Sequence, residues 1–302
     1  MKSFSKILLL LLSVLLPFEG IVADKKVSVS DQELVEYVVA NATVVPVRED
    51  PSEGAEQATQ LLFGEVCVVV DRLPGWTKIR STIDGQVGWV SHRMLTPSAD
   101  GLIVSSLDEP LAVVASPMAV ATPADGGARL LLTLGTRLPH YADGTFSVLG
   151  KQYFIDSACV NITTGVVDEQ RSDLIKMAQS LLNTPYLWGG KNVMGLDCSG
   201  FTQVVYAAIG VSILRNAREQ VTQGEVVSSL SDVLPGDLAF FNHADRHPEA
   251  TNITHVGLLL SPTEIIHCAG GCVHIDRITP DGIYTATGHK THHLAQIKRY
   301  LK

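Results

Sequence analysis

The chain has 302 residues, of which 46% are hydrophobic and 18% are charged, and its formal net charge is −8. This length and composition are ordinary for folded globular domains, and they exclude a fibrous or largely disordered chain. The acidic charge disfavours nucleic acids and anionic surfaces as partners, because both repel a negatively charged protein.

The first residues have the pattern of a secretory signal peptide. Lys2 and Lys6 precede an apolar run over residues 7–16, and Ala23 stands directly before a charged stretch. An apolar run of this length is too short to cross a bilayer as a helix. The sequence therefore predicts a leader over residues 1–23, cleaved near Ala23, and an exported mature protein, periplasmic or secreted, that is not attached to a membrane.

Residues 43–100 are predicted to form a small β-barrel. A short N-terminal arm over residues 24–42 precedes it, with a helix expected from Gln32 to about Ala40. Beyond the arm, runs of β-branched and aromatic residues alternate with turn residues such as Gly64, which is typical of short strands in a barrel. Residues 101–166 repeat this pattern more faintly. A second barrel is therefore predicted, with strands at 112–114, 118–121, 130–132 and 153–155.

Residues 167–302 have the pattern of an α+β domain. Leu174 and Leu181 share a helical spacing with their apolar neighbours, and Pro185 ends that helix. A second helix is predicted directly after Cys198, where apolar residues recur on one helical face. Apolar strand segments then follow one another towards the C-terminus. Helices followed by a meander of antiparallel strands indicate an α+β fold.

Cys198 is the candidate nucleophile of this domain. A cysteine at the start of a helix meets unpaired amide groups and the positive end of the helix dipole, which favour the thiolate. A buried structural cysteine is the alternative, but the polar neighbours Asp197 and Ser199 do not suit a dry core. The five cysteines are Cys67, Cys159, Cys198, Cys268 and Cys272. An odd number leaves at least one free thiol in an exported protein, and we assign that thiol to Cys198.

Two histidines can supply the base and its orienting partner. His255 begins one predicted strand and His267 lies near the end of the next, with the turn residues Ser261-Pro262 between them. A hairpin can bring the two imidazoles side by side, with His255 facing Cys198. An imidazole in the orienting position is uncharged, so it aligns the base without the electrostatic help that a carboxylate gives.

Zinc binding is the competing interpretation of these residues. Cys268 and Cys272 are separated by three residues, and His255 and His267 could complete a four-ligand site. Zinc would leave the motif around Cys198 unexplained, so neither a metal nor another cofactor is predicted. Cys268 and Cys272 can equally be small core residues or a local disulfide.

The motifs of residues 168–301 resemble those of the NlpC/P60 cysteine peptidases, which have a papain-like fold. The matching motifs are Tyr186-x-Trp188-Gly189-Gly190, Asp197-Cys198-Ser199-Gly200-Phe201, Leu234-Pro235-Gly236-Asp237-Leu238, His255-Val256-Gly257 and Ile266-His267. This resemblance implies that Cys198, His255 and His267 are catalytic. It also implies that the Tyr186 hydroxyl supports the oxyanion, for which the backbone amide of Cys198 is a second donor.

Residues 43–97 resemble a bacterial SH3 domain. The matching motifs are Leu62-Phe63-Gly64-Glu65, Gly75-Trp76-Thr77-Lys78-Ile79 and Asp84-Gly85-Gln86-Val87-Gly88-Trp89-Val90. The resemblance implies that the predicted barrels are SH3-like and stand in front of the papain-like domain. This order of domains is similar to that of the γ-D-glutamyl-L-diamino acid endopeptidases, which process murein peptides in peptidoglycan turnover.

That similarity implies cleavage of the γ-D-glutamyl bond to the diamino acid, in peptides with a free N-terminal L-alanine, by a protein expected to be a monomer. It places the substrate ammonium near Asp197 and Ser199, because a carboxylate beside the nucleophile can pair with the amine and set the distance to the scissile bond. Asp197 can also be a helix cap, and both roles are compatible. Trp188 is a further predicted binding residue.

The first barrel is predicted to add side chains to the same pocket. Glu53 or Glu56 could supply a second carboxylate, and the sequence does not choose between them. Related barrels commonly have a tyrosine where this chain has Gln86. That departure bears on how strictly the N-terminal residue of the substrate is selected.

Two other functions are compatible with these motifs. The same fold could carry another cysteine chemistry, as an N-acyl amidase or an acyltransferase. Alternatively, the barrels could bind murein while the cysteine domain is vestigial. The presence of Cys198, His255 and His267 in the expected order favours the peptidase.

Overall fold

The computed structural model describes residues 35–98, 111–163, 166–243 and 252–302. The predicted leader, and the arm as far as residue 34, lie outside the described residues. Two β units are followed by an α+β unit, which confirms the predicted fold class. None of the helices in these ranges combines the length and the apolar character that crossing a membrane requires.

The first unit is a seven-stranded antiparallel sheet. Its strands are β1 (Tyr37–Ala40), β2 (Val44–Arg48), β3 (Gln57–Leu62), β4 (Val66–Leu73), β5 (Trp76–Ser81), β6 (Val87–Ser91) and β7 (Leu95–Ser98). They pair in the order β3-β2-β6-β5-β4-β1-β7. In β2, the buried Val45 and Val47 alternate with less buried neighbours, as expected for a strand with one face in a core. The strands predicted from residue 43 onwards are confirmed.

The helix predicted up to Ala40 is wrong, because Tyr37–Ala40 is strand β1. This strand lies between two others, with Val38 opposite Cys67 of β4 and opposite Pro97 of β7. Val38, Val39 and Ala40 are all buried. Pairing on both edges and burial outweigh a weak local preference for helix, so the sheet begins at Tyr37, inside the predicted arm.

The second unit consists of a four-stranded and a two-stranded sheet. Its strands are β8 (Ala112–Val114), β9 (Met118–Pro123), β10 (Leu130–Thr133), β11 (Thr145–Val148), β12 (Lys151–Ile155) and β13 (Val160–Ile162), paired as β10-β9-β12-β11 and β13-β8. Phe146 stacks on Tyr153 in its core, with ring centroids 5.2 Å apart. Val39, Phe63 and Val66 of the first unit belong to the same core, so the two β units share apolar contacts.

The third unit is an antiparallel sheet with helices against it. Its elements are α1 (Val167–Ser180), β14 (Lys191–Asn192), β15 (Gly195–Leu196), α2 (Cys198–Ala207), α3 (Ala217–Gln220), β16 (Glu225–Val227), β17 (Leu238–His243), β18 (His255–Ser261), β19 (Glu264–Ala269), β20 (Cys272–Thr279), β21 (Gly282–Tyr284) and β22 (Lys290–Arg299). The order of its seven-stranded sheet is β16-β22-β17-β18-β19-β20-β21, with a further pairing between β21 and β22. Single 3-10 turns occur at His92–Met94, Ser157–Cys159 and Leu230–Asp232.

Helix α2 is enclosed on all sides. Every residue from Ser199 to Tyr206 is buried, and Phe201 belongs to the same apolar core as Val256 of β18. On the side of the first barrel, Gln203 Nε2 donates to Asp84 Oδ2 at 2.9 Å. A helix that is buried all round has no solvent-facing stripe, so its first residue is held in place by both the sheet and the barrel.

Candidate active site

The glycine-rich loop before α2 packs tightly between the first barrel and the helix. A Cβ atom added to Gly189 would lie 2.4 Å from the backbone oxygen of Gln57 in β3. One added to Gly200 would lie 2.1 Å from the backbone oxygen of Gly190. Only glycine permits backbones to approach this closely. The glycines of this motif therefore serve the contact between barrel, loop and helix.

Side chains of the barrel reinforce this contact. Gln60 Oε1 accepts hydrogen bonds from the Lys191 amide and from Asn192 Nδ2, both at 2.8 Å. Lys191 Nζ forms a buried ion pair with Glu65 Oε1 at 2.7 Å. A buried, hydrogen-bonded charge pair fixes the relative position of its two partners. The first barrel is thus part of the framework that positions the loop.

Cys198 is the first residue of α2, as predicted, but its surroundings raise the pKa of its thiol. Burial and, second, the Asp197 carboxylate raise that pKa to about 12. Hydrogen bonds from the backbone of Val256 and Ser199, and the charge of Arg215, act in the opposite direction. The helix start favours the thiolate, but burial and the Asp197 carboxylate outweigh this effect on the pKa. The resting cysteine is a thiol that needs a base.

His255 and His267 are hydrogen-bonded side by side, which confirms the predicted hairpin geometry. The distance from His255 Nε2 to His267 Nδ1 is 2.8 Å, and both residues are buried. Val256, which follows His255, hydrogen-bonds Cys198 through its backbone. The strand that carries the predicted base therefore lies against the predicted nucleophile.

The third residue of the His255-Val256-Gly257 motif has no space for a side chain. A Cβ atom at this position would lie 2.8 Å from His267 Cβ and 2.7 Å from a side-chain carbon of Ile265. A larger residue would push β18 and β19 apart or displace His267. The glycine thus permits the close approach of the two histidines.

Asp276 is a member of this cluster that the sequence analysis did not identify. In the pairing of β19 with β20, His267 lies directly opposite His274, and Asp276 stands two residues further on the same face. Its Oδ2 lies 3.4 Å from His267 Nε2. Its contact with His267 depends on the register of β19 and β20, which no local sequence pattern specifies.

The charges in this cluster follow from its burial and hydrogen bonds. Burial lowers the pKa of His267, although its hydrogen bond to Asp276 acts in the opposite direction. Burial also opposes the charge of Asp276, but the hydrogen bond and the proximity of His267, followed by His274, lower the pKa of this carboxyl group. Near neutral pH the cluster holds a neutral His267 and an ionised Asp276, so a carboxylate does support the imidazole pair.

Arg215 is a second residue that the sequence analysis missed. Its guanidinium forms a bidentate pair with Asp197, at 2.9 Å from Nη1 to Oδ1 and 2.6 Å from Nη2 to Oδ2. It also donates to Ser199 Oγ at 2.9 Å and, across the domain contact, to Thr59 Oγ1 at 2.7 Å. Arg215 is only 1% exposed. Burial opposes its charge, but Asp197 outweighs burial and the pKa of the guanidinium is raised.

Both carboxylate oxygens of Asp197 accept several hydrogen bonds within the protein. Besides the two bonds from Arg215, its oxygens accept from the amides of Gly200 at 2.6 Å and Gly189 at 3.0 Å. Ser199 is buried too, and its hydroxyl donates to Asp197. A carboxylate that is neutralised and enclosed in this way has little capacity left for a substrate amine. The predicted helix cap is what Asp197 provides.

Tyr186 and Trp188 lie on the loop that precedes the nucleophile. Burial, followed by the proximity of Cys198 and Asp197, raises the pKa of Tyr186. Its hydroxyl therefore stays protonated and can donate a hydrogen bond beside Cys198. Trp188 is 61% exposed, and its backbone oxygen accepts from Gln57 Nε2 at 3.1 Å. Its indole is thus open to a ligand on the outer side of the loop.

The barrel residues predicted to bind substrate have different surroundings. Gln86 Nε2 donates to the Glu219 carboxylate, at 3.0 Å to Oε2 and 3.3 Å to Oε1. Asn216 donates to the same Oε2 through its backbone and side-chain nitrogens, both at 3.1 Å. Glu56 is exposed, and Glu53 pairs with Arg48 at 3.4 Å. Gln86 is therefore joined across the domain contact to a carboxylate that the sequence analysis did not consider.

The zinc site considered from Cys268 and Cys272 does not form. The thiol of Cys268 is buried and donates to the backbone oxygen of Leu196 at 3.0 Å. Cys268 and Cys272 are both free thiols, so they do not form a disulfide. Within the described ranges, the ligand-type residues that converge are instead His267, His274 and Asp276.

Comparison with known proteins identifies the class to which this fold and site belong. The model of the NlpC/P60 family matches residues 183–291, and that of the bacterial dipeptidyl-peptidase SH3 domain matches residues 47–95. A solved NlpC/P60 family protein from Bacillus cereus superposes with a TM-score of 0.72 and 21% identity, over 88% of this chain and 100% of that chain. This superposition shows a shared fold.

Sequence relatives bring the comparison closer. The gamma-D-glutamyl-L-lysine dipeptidyl-peptidase of Bacillus subtilis is 30% identical over 221 residues, which cover 69% of this chain and 71% of the relative. The protein of the same name from Bacillus cereus is 28% identical, over 69% of this chain and 66% of the relative. The chain belongs to the NlpC/P60 family.

Proposed function

We propose that this protein is a cysteine peptidase that cleaves murein peptides at the amide between the γ-carboxyl of D-glutamate and the following diamino acid. The observation that carries this proposal is Cys198 at the start of α2, beside the strand that bears the hydrogen-bonded pair of His255 and His267. The printed names of the Bacillus relatives support the choice of bond.

The hydrogen bonds of the cluster set the proton positions needed for such a reaction. Asp276 can only accept, so His267 donates from Nε2 and its Nδ1 carries a lone pair. His255 then donates from Nε2 to that lone pair. Its Nδ1 is left as the acceptor for the proton of Cys198. The three groups thus hold His255 in the tautomer of a general base.

The reaction then follows the course of acyl transfer. His255 takes the proton of Cys198, and the sulfur attacks the scissile carbonyl. The Cys198 amide and the Tyr186 hydroxyl donate to the oxyanion, and His255 returns the proton to the departing amine. Water, deprotonated by His255, hydrolyses the thioester and regenerates the thiol.

We also propose that the substrate carries a free N-terminal L-alanine, as the family resemblance implies, and that Glu219 receives its ammonium in place of Asp197. Glu219 is only partly buried, and its described hydrogen-bond partners are the neutral amides of Gln86 and Asn216. Its neighbour Gln220 donates to the backbone oxygen of Ser199 at 3.1 Å, so α3, which carries Glu219, lies against the start of α2. An unneutralised carboxylate attracts an ammonium more strongly than the paired Asp197 does.

A defined panel of murein peptides tests the substrate. L-Ala-γ-D-Glu-diaminopimelate and its lysine analogue should be cleaved at the γ-glutamyl bond, and the N-acetylated peptides should be cleaved at least about tenfold more slowly, since the charged contact is worth about 1.5–3 kcal/mol. Product masses identify the bond. Glu219→Gln should reduce the preference for the free amine, whereas Glu264→Gln, a change at an exposed glutamate of β19, should not. Transfer of the acyl group to an added amine, or equal rates for free and acetylated peptides, would contradict the proposal.

Removal of Asp276 should slow the chemical step. Asp276→Ala frees His267 to place its proton on Nδ1, and we expect kcat to fall about 10- to 100-fold with little change in KM. Asp276→Asn should recover part of kcat, because its amide oxygen still accepts from His267. Asp281→Ala removes an exposed carboxylate that pairs with Lys290 and serves as the control. If Asp276→Ala and Asp281→Ala have the same kcat, the tautomer argument fails.

The proposed location is outside the cytoplasm, on the basis of the leader pattern over residues 1–23. Murein peptides occur there, and the acidic net charge is compatible with a small, partly cationic peptide substrate. Sequencing of the mature N-terminus from the producing cell would test both export and the cleavage near Ala23.

A further inference from the structure

His267, His274 and Asp276 have the composition of a transition-metal site and lie directly behind the proposed base. The Oδ2 atom of Asp276 lies 3.4 Å from His267 Nε2 and 3.3 Å from His274 Nε2. One ligand atom from each residue lies within 4.8 Å of the other two. The side chain of His274 is 34% exposed, so an ion can reach the cluster from solvent.

The distances suit a tetrahedral zinc ion. Imidazole and carboxylate ligands bind zinc at about 2.0–2.2 Å, and two ligand atoms on a tetrahedron of that size are about 3.3–3.6 Å apart. Both measured separations from Asp276 fall in this range. A small movement of the partly buried His274 can bring its Nε2 to the same separation from His267 Nε2.

The hydrogen bonds of His274 provide an independent argument. Its Nδ1 lies 2.9 Å from the backbone oxygen of Cys272, and a carbonyl oxygen can only accept. The ring therefore donates from Nδ1, which leaves Nε2, 3.3 Å from Asp276 Oδ2, as the nitrogen that can bind a metal ion. An imidazole held by a backbone carbonyl in this way is the usual form of a metal-binding histidine.

We propose that His267, His274 and Asp276 bind a divalent transition-metal ion, with Zn²⁺ as the fitting probe, and that the bound ion switches off the base of the active site. Zinc readily takes two imidazoles and one carboxylate as ligands, whereas Mg²⁺ and Ca²⁺ prefer sites made of oxygen ligands alone. Binding at this site is independent of the proposed function. The inhibitory effect of the bound ion rests on the proposed function.

The switch follows from the proton positions. A metal on Nε2 of His267 moves the single proton of that ring to Nδ1, which then donates to Nε2 of His255. His255 in turn carries its proton on Nδ1, the atom that must accept from Cys198. Both rings remain neutral and each keeps one proton, so no net proton is gained or lost. The base is then in the wrong tautomer.

Zinc titration by calorimetry tests the site without any activity measurement. The full chain with Cys198→Ala excludes the nucleophilic thiol as a ligand, and it should bind one Zn²⁺ ion with little response to Mg²⁺. Adding His274→Gln replaces the imidazole with an amide, a poor zinc ligand, and should weaken zinc binding at least about tenfold. The exposed His289 supplies the control, His289→Gln, which should leave affinity unchanged. Equal zinc affinity with and without His274→Gln would overturn the proposal. The absence of zinc binding to the Cys198→Ala chain would overturn it too.

Activity measurements test the switch. Zinc should inhibit the enzyme with native Cys198 reversibly, with full recovery after chelation. In His274→Gln, the zinc concentration that halves the rate should be at least about tenfold higher than in the unmodified chain. The rate of each chain is expressed relative to its own rate without metal. If inhibition persists unchanged in His274→Gln, the switch is refuted. A chain that binds zinc through His274 but cleaves no murein peptide would retain the metal site and refute the proposed function.

Discussion

Cys198→Ala should lower kcat on a murein peptide by about 10⁴-fold or more, because no other group of the site can form the thioester. The thiol lies at the start of α2 with His255 on the adjacent strand. Its removal takes away bond formation but little of the surface that binds the peptide. We therefore expect the variant to retain substrate affinity, measured by calorimetry, while product formation measured by mass spectrometry falls to background.

Cys159→Ala is the matched control for this prediction. Cys159 is also a partly buried free thiol, but it packs against the core of the second barrel. We expect this variant to keep the kcat of the unmodified chain. Iodoacetamide should inactivate the control and the unmodified chain alike. Turnover by Cys198→Ala at the unmodified rate would exclude the cysteine mechanism, and murein binding without turnover by the unmodified chain would favour the vestigial domain.

Arg215→Met should lower the free energy of unfolding by about 3–5 kcal/mol, because it leaves the Asp197 carboxylate buried without its counter-charge. Arg215 is nearly inaccessible and donates to Asp197, Ser199 and Thr59. The loss therefore affects the helix start, the loop and the barrel contact together. Urea unfolding followed by circular dichroism gives the change from the transition midpoint and its slope.

Two further variants distinguish this mechanism from a general loss of packing. Arg72→Met breaks an exposed ion pair with Glu36 and should cost no more than about 1 kcal/mol. The double variant Arg215→Met with Asp197→Asn removes both charges while the asparagine oxygen still caps α2. It should be more stable than Arg215→Met by itself. Equal stability of the single and double variants would show that the unpaired carboxylate is not the cause.

Local patterns predicted most of the secondary structure and the central residues of the site. Runs of β-branched and aromatic residues between turn residues identify the barrel strands, and the proximity of His255 and His267 follows from a hairpin with one short turn. These inferences hold because strand period, turn chemistry and helix start depend on neighbouring residues. The helix predicted up to Ala40 is wrong because the structure of Tyr37–Ala40 does not depend on neighbouring residues. Pairing with two strands that are distant in sequence makes this segment a strand.

The sequence by itself determined the order of the units, the position of Cys198 at a helix start and the hairpin that carries His255 and His267. Only the tertiary structure decided what surrounds them. Arg215 forms a buried ion pair with Asp197, the residue that caps α2. Asp276 reaches His267 through the register of β19 and β20. The physical reason is that burial makes each charge depend on a partner brought close by the fold, and no local pattern specifies which distant residue that partner is.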